Sequence, residues 1–415
     1  MKVALDATPL LGPRTGVGHY VAGLAEGLAE LPGPEPEQVA LVPFTWRGTG
    51  DLPRVAPAGP RVRLGRRRVP ARLLQAAWAR MAFPPVEWLA GRVDVFHATN
   101  FVAPPARRAA VVVTVHDLTY LRYPEMVTAA SARYRDLVPR ALRRGATVCT
   151  PTAAVADEVA DAYRLPPERL VVTSLGVGPA WRAATPPDPA WLAARGLPER
   201  YLLFVGNREP RKNLPTLLAA YRDLLAGRVP RAGRVPRAGP VPGAGQASGD
   251  APAAGAGQVR GGAAAGPAED IPPLVLVGPA GWGEALDLAG LPPKAVRTPG
   301  YLPEDDLARV VAGAAALACP SWYEGFGLPA LEALACGTPV VAADLPALRE
   351  VLGDQAALVP PGDATALADA LARVLDDPGG EPARAARRAR AAAFTWAACA
   401  RATLSAYHRA LAAAR

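Results

Sequence analysis

The sequence contains few of the side chains that typically hold zinc or form disulfides. Its 415 residues include only four cysteines and four histidines. None of the cysteines forms a Cys-x-x-Cys pair, and they are far apart in the chain: Cys149, Cys319, Cys336 and Cys399. This spacing argues against a disulfide framework and a zinc site, and it favours a reducing compartment such as the cytoplasm.

Long apolar segments are also missing. No stretch approaches the ~20 uncharged apolar residues of a membrane-spanning helix. The N-terminal segment places Asp6 where a secretory signal needs an apolar core. We therefore expect a cytoplasmic protein. Its net charge of +9, from 46 basic and 37 acidic residues, permits binding to nucleic acid, anionic lipid or phosphorylated substrates without choosing among them.

Two series of short apolar runs alternate with segments of helical periodicity. Each run has the length of a buried parallel strand and leads into a polar or glycine-containing turn. The first series comprises Val3–Leu5, Val93–His97, Val111–Val115, Thr147–Thr150 and Val171–Ser174. The second series comprises Tyr201–Val205, Leu274–Val277, Ala315–Cys319, Val340–Ala342 and Ala357–Val359. Two such series predict an α/β protein built from two doubly wound, Rossmann-like domains.

Composition suggests where these domains begin and end. We place the first domain at residues 1–180 and the second at 200–390, joined by a proline-rich linker at 181–199. Residues 391–415 predict a C-terminal helix that packs back across the interface. Residues 227–269 are dense in Gly, Pro, Ala and Arg and have almost no bulky apolar side chains. That composition predicts a disordered insertion within the second domain.

The segment Ser321–Pro329 reads Ser-Trp-Tyr-Glu-Gly-Phe-Gly-Leu-Pro and is the most informative in the chain. Its carboxylate Glu324 lies eight positions before Glu332. The residues from Ala330 to Cys336 predict a short helix that ends at Gly337. A helix start offers N–H groups to an anion, and carboxylates accept hydrogen bonds from hydroxyls. A ligand that is part phosphate and part sugar meets both conditions.

Two further clusters follow predicted strands of the first domain. Residues 12–20, Gly-Pro-Arg-Thr-Gly-Val-Gly-His-Tyr, form a glycine-rich loop whose amides can approach a phosphate. An ordinary strand–helix turn has the same composition, and the full dinucleotide fingerprint is absent. His116 and Asp117 stand just past a strand, where open α/β sheets bind ligands. A structural histidine fits that position as well.

A basic cluster follows the first strand of the second domain. Arg208, Arg211 and Lys212 lie in the segment Gly-Asn-Arg-Glu-Pro-Arg-Lys-Asn-Leu. Three cations at a strand end are suited to neutralising a diphosphate. The alternative is a solvated basic turn without a ligand.

Together the four motifs resemble those of the retaining glycosyltransferases of family 4, which have the GT-B fold. They occur in the family's order, and the resemblance covers most of the chain. The flanking Pro-Ser-Trp-Tyr at 320–323 and Ala-Cys-Gly-Thr-Pro-Val at 335–340 extend it, whereas the insertion at 227–269 departs from it. The resemblance implies transfer of a hexose, mannose being one option, from a nucleotide-diphosphate sugar to a glycan or lipid-linked acceptor.

The resemblance also implies roles for particular residues of the second domain. Arg211 and Lys212, together with Arg208, would stabilise the charge that develops on the leaving diphosphate. Glu324 would hold hydroxyls of the transferred hexose, and Glu332 would accept hydrogen bonds from the ribose. The backbone N–H groups that would face the diphosphate or sugar are those of Phe326, Gly327 and Leu328.

The first domain would complete the site. Gly16 and Val17 would approach the diphosphate when the cleft closes, and His116 would lie near the transferred sugar. No metal and no other cofactor is expected, because the arginines and the lysine take over the electrostatic role of a cation. The sequence also lacks an Asp-x-Asp motif in a suitable setting. No nucleophile is assigned.

A basic and aromatic segment of the first domain is a possible acceptor or membrane surface. The arginines in it are Arg61, Arg63, Arg66, Arg67, Arg68 and Arg72. The apolar residues that accompany them are Leu73, Leu74, Trp78, Met81 and Trp88. Such a surface is able to meet a lipid-phosphate acceptor or the inner membrane face. A partly buried helix with solvated arginines is the alternative.

Two other classes of function stay open at this point. A nucleotide-binding oxidoreductase would use the glycine-rich first loop, but no acid follows a second strand to hold the ribose, and the second phosphate-binding cluster has no place in it. A basic membrane- or nucleic-acid-binding protein without activity would use the net charge. The arginines are scattered, so we expect no nucleic-acid partner.

Overall fold

The computed structural model of the protein describes residues 1–12, 14–45, 47–65, 74, 77–78, 80–227, 271–283 and 285–414. The predicted disordered insertion lies outside the described residues, apart from Gly227. The same holds for several residues of the basic and aromatic segment, namely Arg66, Arg67, Arg68, Arg72 and Leu73.

The first sheet has seven parallel strands in the order β3-β2-β1-β4-β5-β6-β7. Their bounds are β1 Lys2–Asp6, β2 Gln38–Val42, β3 Val62–Leu64, β4 Val95–Ala98, β5 Ala110–Thr114, β6 Thr147–Thr150 and β7 Leu170–Val172. The central strands are almost wholly apolar and buried, as a parallel sheet with helices on both faces requires. The strand order reverses between β1 and β4, which is the usual place for a ligand cleft.

The second sheet has six parallel strands in the order β10-β9-β8-β11-β12-β13. Their bounds are β8 Leu202–Val205, β9 Leu274–Val277, β10 Val296–Gly300, β11 Ala316–Cys319, β12 Val340–Ala343 and β13 Ala357–Val359. This order reverses between β8 and β11. The predicted class, two doubly wound domains, is therefore confirmed. Every predicted strand is present within two residues of its expected bounds, and three strands that were not predicted, β2, β3 and β10, join them.

Helices connect the strands and cover both sheets. In the first half they are α1 Gly16–Glu30, α2 Leu52–Val55, α3 Glu87–Ala90, α4 Thr119–Arg122, α5 Ala129–Ala132, α6 Tyr134–Arg143 and α7 Ala153–Tyr163. The remaining helices are α8 Pro179–Arg182, α9 Pro189–Ala194, α10 Leu214–Leu225, α11 Glu304–Gly313, α12 Leu328–Cys336, α13 Pro346–Leu352, α14 Ala364–Asp376, α15 Gly380–Ala392 and α16 Trp396–Ala413. Short 3-10 helices occur at Thr8–Leu10, Pro124–Met126, Pro167–Arg169 and Pro210–Lys212. The linker predicted at 181–199 lies between β7 and β8, and the exact domain boundaries stay a prediction.

The C-terminal helices connect the two domains. Helix α15 packs against α12 of the second domain, whereas α16 packs against α1 and strands β5 to β7 of the first. The chain thus returns across the interface as predicted, and its last helix runs from Trp396 to Ala413. Gly23 and Gly27 permit this packing, because a side chain at either position would collide with Trp396. A buried hydrogen bond of 2.9 Å between His97 Nδ1 and the Tyr407 hydroxyl holds α16 to β4.

The described helices offer no membrane span. None of them combines the length and the apolar composition that crossing a bilayer requires. The four cysteines are all buried and unpaired, so no disulfide contributes to the stability of the fold.

Candidate active site

A cavity of about 490 Å³ lies between the two sheets and is lined from both sides. It opens at the carboxyl ends of the central strands, where ligands bind in open α/β sheets. Ten of the predicted site residues line it: Gly16, Val17, His116, Arg211, Lys212, Glu324, Phe326, Gly327, Leu328 and Glu332. Residues from four separate motifs of the sequence therefore meet at one cleft.

Glu324 is the centre of a buried ionic cluster. Its Oε1 accepts hydrogen bonds from Lys212 Nζ at 2.6 Å and from Ser321 Oγ at 2.7 Å. Its Oε2 accepts one from Arg211 Nη1 at 3.1 Å. Arg211 also donates from Nε to Glu209 at 2.9 Å. Two cations and two carboxylates thus neutralise one another in the floor of the cleft.

These contacts determine the charge state of the cluster. Burial by itself would raise the pKa of Glu324, but the charges of Lys212 and Arg211 and the hydrogen bonds from Lys212 and Ser321 lower it to about 2. Burial opposes the charge on Arg211 in the same way, yet Glu324 and Glu209 hold the pKa of its guanidinium above the ordinary value. Glu324 is therefore a carboxylate and Arg211 a cation at neutral pH.

Local backbone geometry brings the basic residues to the cluster. Pro210 to Lys212 form a single 3-10 turn that ends at Asn213, whose φ of 55° is left-handed. Asparagine tolerates this conformation better than most residues. Its side-chain amide also donates to the carbonyl of Pro320 at 3.1 Å, and Trp322 N–H donates to the carbonyl of Arg211 at 2.8 Å. The basic turn and the Glu324 loop are thereby joined along their backbones.

The loop after Glu324 leads directly into α12. Gly327 has a φ of 85° and precedes Leu328, the first helical residue, so the helix begins two residues before the predicted Ala330. Gly337, with a φ of 81°, ends the helix as predicted. A side chain at Gly325 would collide with the backbone carbonyl of His116 in the first domain. The loop therefore needs its glycines both for its turn and for close approach between the domains.

Glu332 lies one turn into α12 and has very different surroundings. Its side chain is only 6% exposed, lines the cavity, and accepts no hydrogen bond from the residues that the structure describes. Burial, with a smaller contribution from Glu304, raises its pKa well above the ordinary value. A buried acceptor without a donor is a place where a ligand hydroxyl can bind.

His116 is held in one orientation by three contacts. Its Nε2 lies 2.8 Å from the carbonyl oxygen of Thr99, and its ring packs edge-on against Tyr20 and Phe101. Burial lowers its pKa, so the ring is neutral at pH 7. Because a carbonyl only accepts hydrogen bonds, Nε2 carries the proton and Nδ1 is an acceptor.

Direct hydrogen bonds close the cleft beside the cavity. The Tyr323 hydroxyl accepts from Leu118 N–H at 3.0 Å and donates to Glu158 at 2.8 Å. Thr152 Oγ1 donates to the Gly325 carbonyl at 3.0 Å. The Glu350 carboxylate accepts hydrogen bonds from the first two backbone N–H groups of α7, at 2.8 and 3.1 Å. All of these bonds join the first domain to the second.

Several residues of the site escaped the sequence analysis. Glu209 and Ser321 lie inside the motifs, so their polar character beside Arg211 and Glu324 was the available signal. Glu304 carried no sequence signal beyond its place at the start of α11. Its carboxylate accepts a hydrogen bond from Trp181 Nε1 at 3.2 Å and lies 3.7 Å from His19 Nδ1.

Arg208 does not line the cavity. Its backbone lies beneath the loop that follows β9: Gly283 N–H donates to the Arg208 carbonyl at 2.8 Å, and Gly281 and Gly283 leave no room there for a side chain. Its predicted contact with the diphosphate stays a prediction.

The acceptor-side segment is partly described. Arg61 donates to the carbonyls of Leu31 and Gly33. Trp78 is buried, whereas Met81 and Trp88 are at least half exposed.

Comparisons with known proteins agree with this architecture. A family model described as glycosyl transferase 4-like domain matches residues 15–176, and one described as glycosyl transferases group 1 matches 265–377. The O-antigen chain mannosyltransferase B of Escherichia coli is 28% identical over 98% of this chain and 99% of its own. The D-inositol 3-phosphate glycosyltransferase of Kineococcus radiotolerans is 30% identical over 99% of this chain and 94% of its own.

A solved structure extends the comparison to three dimensions. HepE of Anabaena, solved in complex with UDP-glucose, superposes with a TM-score of 0.62 over 97% of this chain and 99% of its own, at 17% identity. At that identity the likeness shows the fold alone. The two family models and the full-length relatives show more: the chain belongs to the group 1, family 4-like glycosyltransferases of the GT-B fold, and it is a glycosyltransferase.

Proposed function

We propose that the protein transfers a hexose from a nucleotide-diphosphate sugar to a glycan or lipid-linked acceptor, with retention of anomeric configuration and without a metal ion. The observation that carries this proposal is the pair of carboxylates in one cleft. Glu324 is ionised and already paired with cations, whereas Glu332 accepts no hydrogen bond from the described residues. The two carboxylates can accept hydrogen bonds from sugar hydroxyls, and the cations beside Glu324 can contact a diphosphate.

Each residue then has a chemical task. Arg211 and Lys212 stabilise the charge on the departing diphosphate, with the amides of Phe326 to Leu328 beside them. Glu324 accepts hydrogen bonds from hydroxyls of the hexose, and Glu332 accepts hydrogen bonds from those of the ribose. His116 accepts a hydrogen bond from a substrate hydroxyl through Nδ1. This nitrogen is unprotonated because the ring proton is on Nε2, which donates to the Thr99 carbonyl. Gly16 and Val17 bring their amides to the diphosphate from the opposite wall.

Mannose is the hexose that we favour. The support is the relative named O-antigen chain mannosyltransferase, which aligns over nearly the whole chain. Glucose is the competing choice, because a structural neighbour was solved with UDP-glucose.

A thermal-shift screen of GDP-, UDP- and ADP-sugars tests the donor. A ligand that binds only the folded state raises the melting temperature, by an amount that grows with the ratio of its concentration to its Kd. We expect one nucleotide class to stabilise the wild-type protein and to stabilise Glu332→Gln less. A nicotinamide cofactor that stabilises the protein while all nucleotide sugars fail would refute the proposal.

Retention and metal independence need separate experiments. NMR of the product should show the same anomeric configuration as the donor, and an inverted product would contradict retention. Turnover should persist in excess EDTA. Complete loss that Mn²⁺ or Mg²⁺ restores would contradict the metal-free mechanism.

Peripheral membrane contact is a further part of the proposal. Met81, Phe83 and Trp88 are 55%, 42% and 50% exposed, and Arg80 and Arg92 are exposed near them in the sequence. Apolar and basic side chains together suit an anionic bilayer. Wild-type protein should cosediment with phosphatidylglycerol vesicles, and Phe83→Ser/Trp88→Ser should not. Equal sedimentation of both would remove this surface from the proposal.

A further inference from the structure

A row of buried polar side chains crosses the core of the first domain and ends beside His116. Its members are Tyr407 on α16, His97 on β4, Thr114 on β5 and Tyr20 on α1, and all four are buried. The Tyr407 hydroxyl lies 2.9 Å from His97 Nδ1, and His97 Nε2 lies 2.7 Å from Thr114 Oγ1. Thr114 Oγ1 lies 2.8 Å from the Tyr20 hydroxyl. Consecutive hydrogen bonds therefore join α16 to α1 through two strands of the sheet.

His97 uses both of its ring nitrogens in this row. Burial, with a smaller contribution from His116, lowers the pKa of His97 to about 3, so its ring is neutral at pH 7. A neutral imidazole donates from one nitrogen and accepts at the other. In one tautomer Nδ1 accepts from Tyr407 and Nε2 donates to Thr114, and in the other tautomer both bonds run the opposite way. Removal of either hydroxyl therefore leaves a buried nitrogen without its partner, which is costly.

Tyr20 connects the row to two parts of the candidate site. It lies in the first turns of α1, the helix that begins at Gly16. Its ring packs edge-on against His116, with the ring centroids 5.1 Å apart. Within the described part of the chain, its hydroxyl has no hydrogen-bond partner other than Thr114. The position of this ring beside His116 therefore depends on Thr114.

Thr114 also holds the second ring that packs against His116. Its backbone carbonyl accepts a hydrogen bond from the Phe101 N–H at 3.1 Å. The Phe101 ring lies edge-on to the imidazole, with the ring centroids 5.6 Å apart. Both rings that enclose the imidazole are thus anchored on one residue, Tyr20 through its hydroxyl and Phe101 through its carbonyl. A shift of Thr114 would move both rings and, with them, His116.

The other end of the row lies on the helix that returns from the second domain. Helix α16 follows α15, which packs against α12 of the second domain. At its start, α16 lies so close to α1 that Trp396 leaves no room for a side chain at Gly23 or Gly27. Tyr407 is the residue through which this helix enters the row. The row therefore joins a helix whose path depends on both domains to the histidine of the cleft.

We propose that Tyr407 is a positioning residue for the transfer reaction, which acts through His97, Thr114 and Tyr20 to fix the orientation of the His116 imidazole. This inference rests on the function proposed above, in which His116 Nδ1 accepts a hydrogen bond from a substrate hydroxyl. Tyr407 does not line the cavity, so its effect reaches the substrate only through the other members of the row. Misplacement of a substrate-contacting group by about 1 Å is enough to slow a reaction about 10²-fold.

Histidine-selective NMR tests this coupling without relying on activity. The protein has only four histidines, so a His116→Gln variant identifies the signals of His116. We expect Tyr407→Phe to shift the imidazole signals of His116 as well as those of His97. Tyr221→Phe is the matched control, because it removes a buried hydroxyl that donates to backbone carbonyls of the second domain, and it should shift neither histidine. Unchanged His116 signals in Tyr407→Phe would overturn the inference.

Kinetics separate positioning from a general loss of stability. With the donor found in the thermal-shift screen, Tyr407→Phe should lower kcat about tenfold and leave the donor KM within about twofold of wild type. Tyr221→Phe should change neither value. Wild-type kcat in Tyr407→Phe would overturn the inference. Failure of the wild-type protein to hydrolyse or transfer from any nucleotide sugar would instead overturn the proposed function, and the His116 signals alone would then decide the coupling.

Replacements of Thr114 test whether the row acts as a unit. Thr114→Val removes the central hydroxyl and should lower kcat as much as Tyr407→Phe does, whereas Thr114→Ser keeps a hydroxyl and should restore most of the rate. The double variant Tyr407→Phe/Thr114→Val should be no slower than either single variant, because the row is already broken. Multiplied losses in the double variant, or equal rates in Thr114→Val and Thr114→Ser, would contradict the inference. Should Tyr407→Phe fail to fold, the comparison of the two Thr114 variants decides by itself.

Discussion

Glu324 and Glu332 stand eight residues apart and line the same cavity, yet their surroundings are opposite. Glu324 accepts three hydrogen bonds from Lys212, Arg211 and Ser321, and its pKa is lowered to about 2. Glu332 accepts none from the described residues, and burial raises its pKa. Two glutamates that are close in the sequence can therefore differ in charge state, because the pKa of each depends on its own neighbours in the fold.

The difference teaches what each carboxylate can do before a ligand arrives. Glu324 is part of the folded structure, because its partners are protein groups. Burying the Glu332 carboxylate costs free energy, and no hydrogen-bond donor among the described residues offsets this cost. Such a group is typical of a ligand-binding site.

The largest effect is expected for Lys212→Ala. In the proposed mechanism Lys212 provides one of the two charges beside the departing diphosphate, so turnover should fall about 10²- to 10³-fold, as for loss of one oxyanion donor. Steady-state kinetics measure this. Lys2→Ala, which removes an exposed lysine, is the control. Wild-type turnover in Lys212→Ala would show that its charge serves only Glu324.

The two glutamates should respond with opposite sign when each is replaced by glutamine. Glu324→Gln breaks a buried ionic cluster, and its free energy of unfolding should fall by about 3 kcal/mol. Glu332→Gln removes only the cost of burying a charge, so its stability at pH 7 should equal or exceed that of wild type. Urea denaturation measures both. Equal destabilisation would mean that Glu332 has a structural partner after all.

The pH dependence of stability should differ in the same way. The pKa of Glu324 is lower in the folded than in the unfolded chain, so its stabilisation is present above pH 4.5 and is lost as the pH falls towards 2. The pKa of Glu332 is raised, so stability is lost as the pH rises above 4.5. Denaturation at several pH values should show each slope disappear in the matching glutamine variant. A slope that persists would refute the assignment.

A smaller effect is expected where the Glu324 loop meets the first domain. Tyr323→Phe removes the hydroxyl that bonds Leu118 and Glu158 across the cleft. Loss of about 1 kcal/mol from this contact should lower kcat/KM several-fold. Tyr163→Phe removes a comparable hydroxyl contact within the first domain and should not lower kcat/KM. Equal losses in both variants would argue against a role for the interdomain bond.

The sequence predicted the central strands because each is a continuous buried apolar run. It missed β3 and β10, which lie at sheet edges and include Arg63 and Pro299. An edge strand needs apolar side chains on fewer sides and tolerates proline. Strand β2, which reads Gln-Val-Ala-Leu-Val, had a readable signal and was nevertheless not predicted.

For the site, too, the sequence predicted what a local pattern encodes and missed the rest. Residues inside short motifs, such as Arg211 and Glu324, were predictable because their spacing alone brings them to a strand end or a helix start. The contact of Tyr323 with Glu158 joins residues 165 positions apart, and Phe101, whose φ of 58° is left-handed, stacks on Tyr134 of a later helix. No local pattern records such contacts, since they arise only when the domains fold and meet.

The division of labour between the two glutamates is the central claim, and nucleoside diphosphate binding tests it most directly. Isothermal titration of the diphosphate without a sugar onto Glu324→Gln and Glu332→Gln separates ribose contacts from hexose contacts. We predict that Glu332→Gln binds about tenfold more weakly than wild type, a loss of about 1.4 kcal/mol. Glu324→Gln should bind at least as tightly as wild type, because Lys212 and Arg211 lose a competing carboxylate. Equal weakening in both variants, or weakening in Glu324→Gln alone, would contradict the account.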